Sequence, residues 1–544
     1  MLYIQKYYLG EAGKMRMLVI DVLARSTGKR YSTYDVVGAG PRVVAGMLSE
    51  KYDTLLMPYE KAMGSKDVVR SVTHIFLSAM SSDKGALGRV VGYIRRVNPS
   101  AVITVGGPVG FEYGELLKRF DIDYVIVGEA EIPLQRFMEC VVEDRCSKHE
   151  VPALGFRDNG AVTLTTRHIH TPSDVLSSIK PWARIDEMFD YPQVYRVYVE
   201  AVRGCSNFMR PMVGSIGCIF CGNCRSSKNE ERVNCPANIP PGCGFCSVPS
   251  MFGPARSRSV DSIVKEVEEL IEHGARRIVL SAPDILDYGR DLLVNGPLTN
   301  PCNPPANTEA IEELLSRLNA LKPVSQGRVV VMIENIKACL VNDEVAKILG
   351  KYLPGTTVHI GLETGSDTYN DKVLGKPIKV ADVVNAVRLL KKNSLRPYVY
   401  LMHSLPFASR KIYEETLKTV NELGEAGVEK ITLYKYTPLP YTAFEKIPSE
   451  ERGVEEWIAR LKAVVRRYNT MQKKEILGKH VEAFIIESNG RVYGYPVKHG
   501  PVIFLGRIAR RGLNGCLVIV EVTGTRYRYV KGRIVKIKEC PPAS

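Results

Sequence analysis

RGCSNFMRPMVGSIGCIFCGNCRSSKNEERVNCPANIPPGCGFCSVPSMFGPARSRSV, residues 203–260, holds seven of the thirteen cysteines of a 544-residue chain. Cys218, Cys221 and Cys224 stand three apart, as do Cys243 and Cys246. Thiols clustered at that spacing point to metal ligation. The stretch also reveals the fold around it. An apolar strand, VEAVRG from Val199, leads in, and a helical pattern, SVDSIVKEVEELIEHG, leads out. RRIVLSAPD, TEAIEELLSRLNAL, RVVVMI, DEVAKILGKYL, TVHIGLE, VADVVNAVRLLKKN, YVYLMHSLP, KIYEETLKTVNELGEAG and KITLYKYTPLP keep up the alternation. About six strand–helix repeats predict a full or partial βα barrel, with chemistry at the C-terminal strand ends.

Upstream, MLVIDVLA, HIFLSAM, AVITVGG and DYVIVGEAE read as strands, interleaved with the helices PRVVAGMLSEKY and ALGRVVGYIRRV. This predicts a Rossmann-like parallel sheet over residues 1–150, its first strand starting near Met17. Residues 151–195 lack periodicity and carry Pro and Asp turn signals, so a connecting segment is expected. From about Leu477 to Lys538 short β-runs with glycine turns predict a small OB-like β-barrel, residues 475–540.

The net charge of +15 and pI of about 9.1 favour partners carrying phosphate, although a basic surface with no special target has the same composition. No long uncharged apolar run and no cleavable leader is seen, so a cytoplasmic protein is expected. In that reducing compartment a disulfide framework is not. The six scattered cysteines (Cys140, Cys146, Cys302, Cys339, Cys516 and Cys540) then read as buried or idle thiols.

RGC, followed after an insertion by CGFCSVPSMFGPARSRS, resembles the loop of radical S-adenosylmethionine (SAM) enzymes. That resemblance assigns residues 196–450 to a radical SAM core and makes Cys205, Cys243 and Cys246 ligands of a 4Fe–4S cluster whose fourth iron chelates SAM. Phe245 would pack near the adenine. The family loop has three residues between its first two cysteines; here 37 intervene, with the insertion at 206–242. Within it Cys218, Cys221, Cys224 and Cys235 suit a second iron–sulfur cluster or a four-cysteine zinc site. Using Cys218, Cys221 and Cys224 for the radical cluster is disfavoured, because the family-like continuation follows Cys246.

TVGGPVGFEYGELLKRFDIDYVIVGEAEIPL looks like the cobalamin-binding-type domain that precedes many such cores, which makes cobalamin a candidate cofactor. The histidine of the Asp-x-His-x-x-Gly motif has no counterpart in DVLARSTGKRYSTYDVVGAGP. The core is similar to tRNA methylthiotransferases, and QKKEILGKHVEAFII resembles the entry to their TRAM domain. Asp284 and Glu363, each ending an apolar strand, would then face the cofactor; for Asp284 a capping role competes. Arg507, Arg510, Arg511, Arg526, Arg528 and Lys531, interleaved with aromatics, suit single-stranded RNA. The three N-terminal cysteines of methylthiotransferases are absent.

The resulting expectation is radical methylthiolation or methylation of tRNA or another RNA, with flavodoxin or ferredoxin as electron donor. The alternative is C–C bond formation or cyclisation on an archaeal-type lipid or small metabolite. A non-catalytic RNA-binding protein would leave the pattern from Cys205 to Asp367 unexplained.

Overall fold

The computed structural model describes residues 15–28, 34–488, 490–507, 512–526 and 528–541. They divide into two compact units, the first up to residue 199 plus 261–274, the second made of the rest.

The first unit is built on a seven-stranded sheet. Its strands are β1 (Arg16–Asp21), β3 (Asp53–Pro58), β4 (His74–Ser78), β5 (Val102–Gly106), β6 (Tyr124–Ile126), β7 (Leu154–Asp158) and β8 (Ala161–Leu164), in the order β3-β1-β4-β5-β6-β7-β8. The short strand β2 (Val36–Val37) stands apart and pairs parallel with β9 (Arg196–Glu200). Strands β3 to β6 run parallel and are nearly continuous apolar runs, as strands covered on both faces must be. Helix Lys84–Val97 shows why the covering works. Ala86, Leu87, Val90, Val91 and Ile94 are buried at helical spacing, while Arg95 and Arg96 lie in its last turn.

Two features depart from the sequence expectation. β3 is an edge strand that the periodicity did not mark, since a four-residue apolar run ending in Pro58 resembles a loop. The expected connecting segment opens with the antiparallel hairpin β7–β8, which pairs through β7 with β6 and makes the sheet mixed.

Arg42 ties the helix Ala39–Ser49 to its surroundings. Fully buried, it donates to the carbonyls of Trp182 (2.7 Å) and Tyr198 (2.9 Å) and pairs with Glu266 at 2.8 Å.

The second unit begins with the antiparallel pair β10 (Val202–Arg203) and β11 (Arg256–Ser257). Parallel strands follow: β12 (Arg277–Ser281) beside β13 (Val330–Ile333), then β14 (Asn335–Ile336), β15 (Thr357–Glu363), β16 (Arg396–His403) and β17 (Lys430–Lys435) side by side. Amphipathic helices alternate with them, as the periodicity implied. β18 (His480–Ser488), β19 (Arg491–Pro496), β20 (Ile503–Arg507), β21 (Leu517–Thr525) and β22 (Val530–Glu539) close a small barrel around Ala483, Ile485, Val492, Ile503, Val518 and Val520. The α/β class with a terminal β-barrel is therefore observed.

This barrel sits at the N-terminal ends of the parallel strands. Arg277, at the start of β12, donates to the carbonyls of Pro496 and Val497. Arg396, at the start of β16, donates to His499 O at 2.8 Å, and Thr357, at the start of β15, meets His499.

The scattered cysteines are not idle. Cys140–Cys146, Cys302–Cys339 and Cys516–Cys540 form disulfides. Pairing across 37 and 24 residues depends on tertiary proximity, which spacing alone does not show. Among the described residues no helix is long and apolar enough to cross a membrane.

Replacing Arg42 with Ala strands the Glu266 carboxylate in the interior. A loss of about 3–5 kcal/mol is expected, read from denaturant unfolding of the first unit's fluorescence or from amide exchange in helix Ala39–Ser49. A change below 1 kcal/mol would mean that the pair holds nothing together.

Candidate metal centres

Cys205, Cys243 and Cys246 come together although 37 residues separate the first two. The Cys205 amide donates to Gly253 O (3.1 Å), and Gly244 donates to Leu374 O (2.8 Å). Gly204, just before Cys205, has φ +81°, and a Cβ there would lie 2.2 Å from Pro254 O. Only glycine lets the chain make that turn. Burial pushes all three thiols up, Cys205 to about 11 and Cys246 to about 12, and Cys243 and Cys205 add to the rise at Cys246. Protonated thiols must give up their protons to bind metal. Phe245 lies half-buried between the paired cysteines.

Charged groups close the site from two sides. Lys337, just beyond β14, places its ammonium 2.8 Å from Asp284, 2.7 Å from Asp287 and 2.9 Å from Ser206 Oγ. Ser206 adjoins Cys205 and also donates to Asp287 (2.9 Å), which in turn pairs with the fully buried Arg290. Burial raises the Asp284 carboxyl against the pull of Lys337. At Asp287 burial works the same way, but Lys337 and Arg290 outweigh it and hold the carboxyl below the usual range. Asp284 also caps a short 3-10 turn, accepting from Leu286 N at 3.0 Å. On the other side Glu363 pairs with Lys376 at 2.5 Å, and burial of that ammonium is outweighed by Glu363, with Cys243 and Cys246 adding to the effect. Glu363 adopts φ +75°, a conformation costing about 1–3 kcal/mol for a residue with a Cβ, so the carboxylate is aimed at the expense of backbone ease. Lys337, Asp287, Arg290 and Lys376 escaped the sequence reading. A lysine or carboxylate just past an apolar strand was the available signal, and it is common.

Cys218, Cys221, Cys224 and Cys235 are unpaired thiols lining one recess with Arg210, Ile219 and Phe220. Arg210 is 3% exposed, and its guanidinium donates to carbonyls alone: Ile239 (2.7 Å), Phe208 (3.1 Å), Arg232 (2.6 Å) and Val233 (3.0 Å). Burial disfavours its charge, and the opposing charges it meets are those of Cys235, Cys224 and Cys221. A dianionic metal–tetrathiolate centre would compensate it. Arg225 pairs with Asp371 and so fastens the insertion near Lys376. Among the described residues no three His, Cys, Asp or Glu surround a point closely enough for a single ion.

In the first unit a recess opens at the C-terminal ends of β4 and β5, lined by Val19, Phe76, Ser78, Thr104, Gly107 and Leu134. The Thr104 hydroxyl is buried without a partner. The walls of the recess are otherwise mostly apolar.

On the small barrel Tyr493, Phe504 and Tyr529 form a half-exposed ladder with centroids 5.9 Å apart at each step. Arg491 and Arg507 flank it as cross-strand partners, and Lys531 stands opposite Phe504. Arg526 and Arg528 are exposed nearby in the loop before β22; Arg510 and Arg511 lie outside the described residues. Tyr495 is buried.

Residues 233–420 match the model of the Radical SAM superfamily. An uncharacterized protein of Methanopyrus kandleri is 36% identical over 540 residues, spanning 96% of this chain and 97% of its own. One of Methanocaldococcus jannaschii is 36% identical over 97% of this chain and all of its own length. The tRNA-2-methylthio-N(6)-dimethylallyladenosine synthase of Thermotoga petrophila is 24% identical over 58% of this chain and 68% of its own. The ribosomal protein uS12 methylthiotransferase RimO of Chlamydia pneumoniae is 25% identical over 54% and 62%. In fold the chain is similar to the radical SAM methyltransferase TsrM of Kitasatospora setae (TM-score 0.58, 13% identity, 79% and 75% coverage).

Lys337→Met leaves two buried carboxylates without their shared cation. Amide exchange in β12 should quicken by an amount equivalent to about 3–5 kcal/mol, with part of the loss recovered in Lys337→Met/Asp284→Asn. Equal exchange in both variants would show that the carboxylates do not depend on Lys337.

Proposed function

The chain belongs to the radical SAM superfamily, in one family with the Methanopyrus and Methanocaldococcus proteins, and from that premise we propose that it modifies RNA by methylthiolation or methylation. The observation that carries the RNA reading is the aromatic ladder Tyr493–Phe504–Tyr529 set among Arg491, Arg507, Arg528 and Lys531. Aromatic faces stack on bases, and the cations meet phosphates. The tRNA-modifying relative agrees with it.

Cys205, Cys243 and Cys246 would hold a 4Fe–4S cluster with SAM on its open iron. When bound, these groups supply the reductive cleavage that yields a 5′-deoxyadenosyl radical able to take hydrogen from an unactivated carbon. The protein's part is positioning. Lys337 and Lys376 place positive charge beside the thiolates, and Glu363 and Asp284 border the place for SAM, with Phe245 near its adenine. Flavodoxin or ferredoxin would provide the electron. The insertion cysteines would hold a second iron–sulfur cluster, whose negative charge answers the buried Arg210. Cobalamin in the recess near Thr104 would carry a methyl group; the structural neighbour TsrM has also been solved with cobalamin and a [4Fe–4S] cluster bound. The lipid or small-metabolite alternative is not favoured, because the relatives of named activity are methylthiotransferases.

A second reading has a specific basis: RimO acts on a ribosomal protein, so a protein side chain is the competing substrate.

Iron and sulfide counts on anaerobically reconstituted protein test the centres. About eight irons per chain are expected, falling to about four in Cys221→Ser/Cys224→Ser and in Cys243→Ala. Four irons in the unaltered chain, unaffected by Cys221→Ser/Cys224→Ser, would remove the second cluster.

RNA affinity should fall steeply and log-linearly with salt. Tyr493→Ala and Phe504→Ala should each weaken binding by about 1–3 kcal/mol, and Arg507→Ala should lower the salt slope by about one. Tight retention of a ribosomal protein, with RNA affinity unchanged in these variants, would favour the second reading.

A further inference from the structure

We infer that Asn207 is a positioning residue that sets the reduction potential of the iron–sulfur cluster by donating hydrogen bonds to two of its ligand sulfurs. The inference rests on the reading of Cys205, Cys243 and Cys246 as cluster ligands. Asn207 is 4% exposed. Its side-chain amide nitrogen lies 3.3 Å from Cys243 Sγ, and its backbone N–H is directed at Cys205 Sγ, 3.4 Å away. One residue thus addresses ligands that are 38 positions apart in the chain.

The orientation of the amide is determined by its partners. Oδ1 accepts from Met209 N at 3.1 Å, so Nδ2 must be the end turned to the sulfur. Its second hydrogen goes to Gly375 O at 3.0 Å, which leaves the first for Cys243. Gly375 is itself pressed against the chain just beyond: it has φ +69°, and a Cβ there would come 2.6 Å from the Arg210 carbonyl carbon. The amide is therefore clamped by two partners, with its third contact on the thiol. Met209 and Gly375 would satisfy its fold-stabilising needs without any sulfur contact.

Sulfur ligands gain negative charge when a cluster is reduced, and an N–H donor stabilises that state. Because Asn207 is neutral, it provides this without changing the charge balance set by Lys337 and Lys376. Loss of the donor should make the cluster harder to reduce while the three thiolates still hold the iron.

The test uses the full-length reconstituted protein and follows the reduced-cluster EPR signal that shifts on adding SAM. In Asn207→Leu, a near-isostere without a donor, the ratio of reduced to oxidised cluster at a fixed potential should fall about tenfold, a midpoint about 59 mV more negative, with iron content unchanged. In the unaltered chain carrying 15N in asparagine side chains, electron–nuclear double resonance should show a 15N coupling to the reduced cluster. An unchanged midpoint, or absence of the 15N coupling, overturns the inference. If Asn207→Leu loses its iron, the 15N result on the unaltered chain decides alone. Retention of the SAM-sensitive signal in Cys243→Ala would overturn the cluster reading itself, a distinct failure.

Discussion

A single half-buried ammonium group, Lys337, holds together three segments that the chain brings from far apart. It contacts Ser206 beside the first candidate ligand, and Asp284 and Asp287 beyond β12, while itself standing just past β14. A buried ion network of this kind is stable only when every member is present, since any one removed leaves uncompensated charge in a medium that solvates it poorly. The place of Cys205 is thereby secured by electrostatics from outside its own loop. Lys376 and Glu363 do the same for Cys243 and Cys246. Thiolates and reduced clusters concentrate negative charge, and two lysines in the surrounding wall are the complement that such charge requires. In the insertion the Arg210 guanidinium, bonded to carbonyls, lines one recess with Cys218, Cys221, Cys224 and Cys235.

In the second unit the parallel strands run from the small barrel to the candidate cluster site. Thr357 starts β15 at the small barrel, and Glu363 ends it beside Lys376. Six residue steps of strand span about 20 Å.

Much of the architecture was legible because it follows from periodicity. Parallel strands buried on both faces must be apolar runs, and the helices that cover them must be amphipathic, so MLVIDVLA, HIFLSAM and TVHIGLE were recognisable in isolation. β3 and the β7–β8 hairpin were not. The first is a short edge strand ending in proline, and the second has side chains too exposed to alternate clearly. The six outlying cysteines were misread for a related reason: Cys302 and Cys339 look idle until the loop at Asn300 and the end of β14 are seen to meet.

The sequence by itself determined the chemistry on offer, for thiols three residues apart and carboxylates at strand ends are local patterns. Tertiary structure alone decided which of those groups share a site. Cys205 joins Cys243 across the insertion, Asn207 turns its amide to the second sulfur, and two lysines from distant strands and loops stand beside them. Such convergence is set by the folding of parallel strands into one mouth, where residues adjacent in space come from the ends of different strands. No spacing along the chain records it.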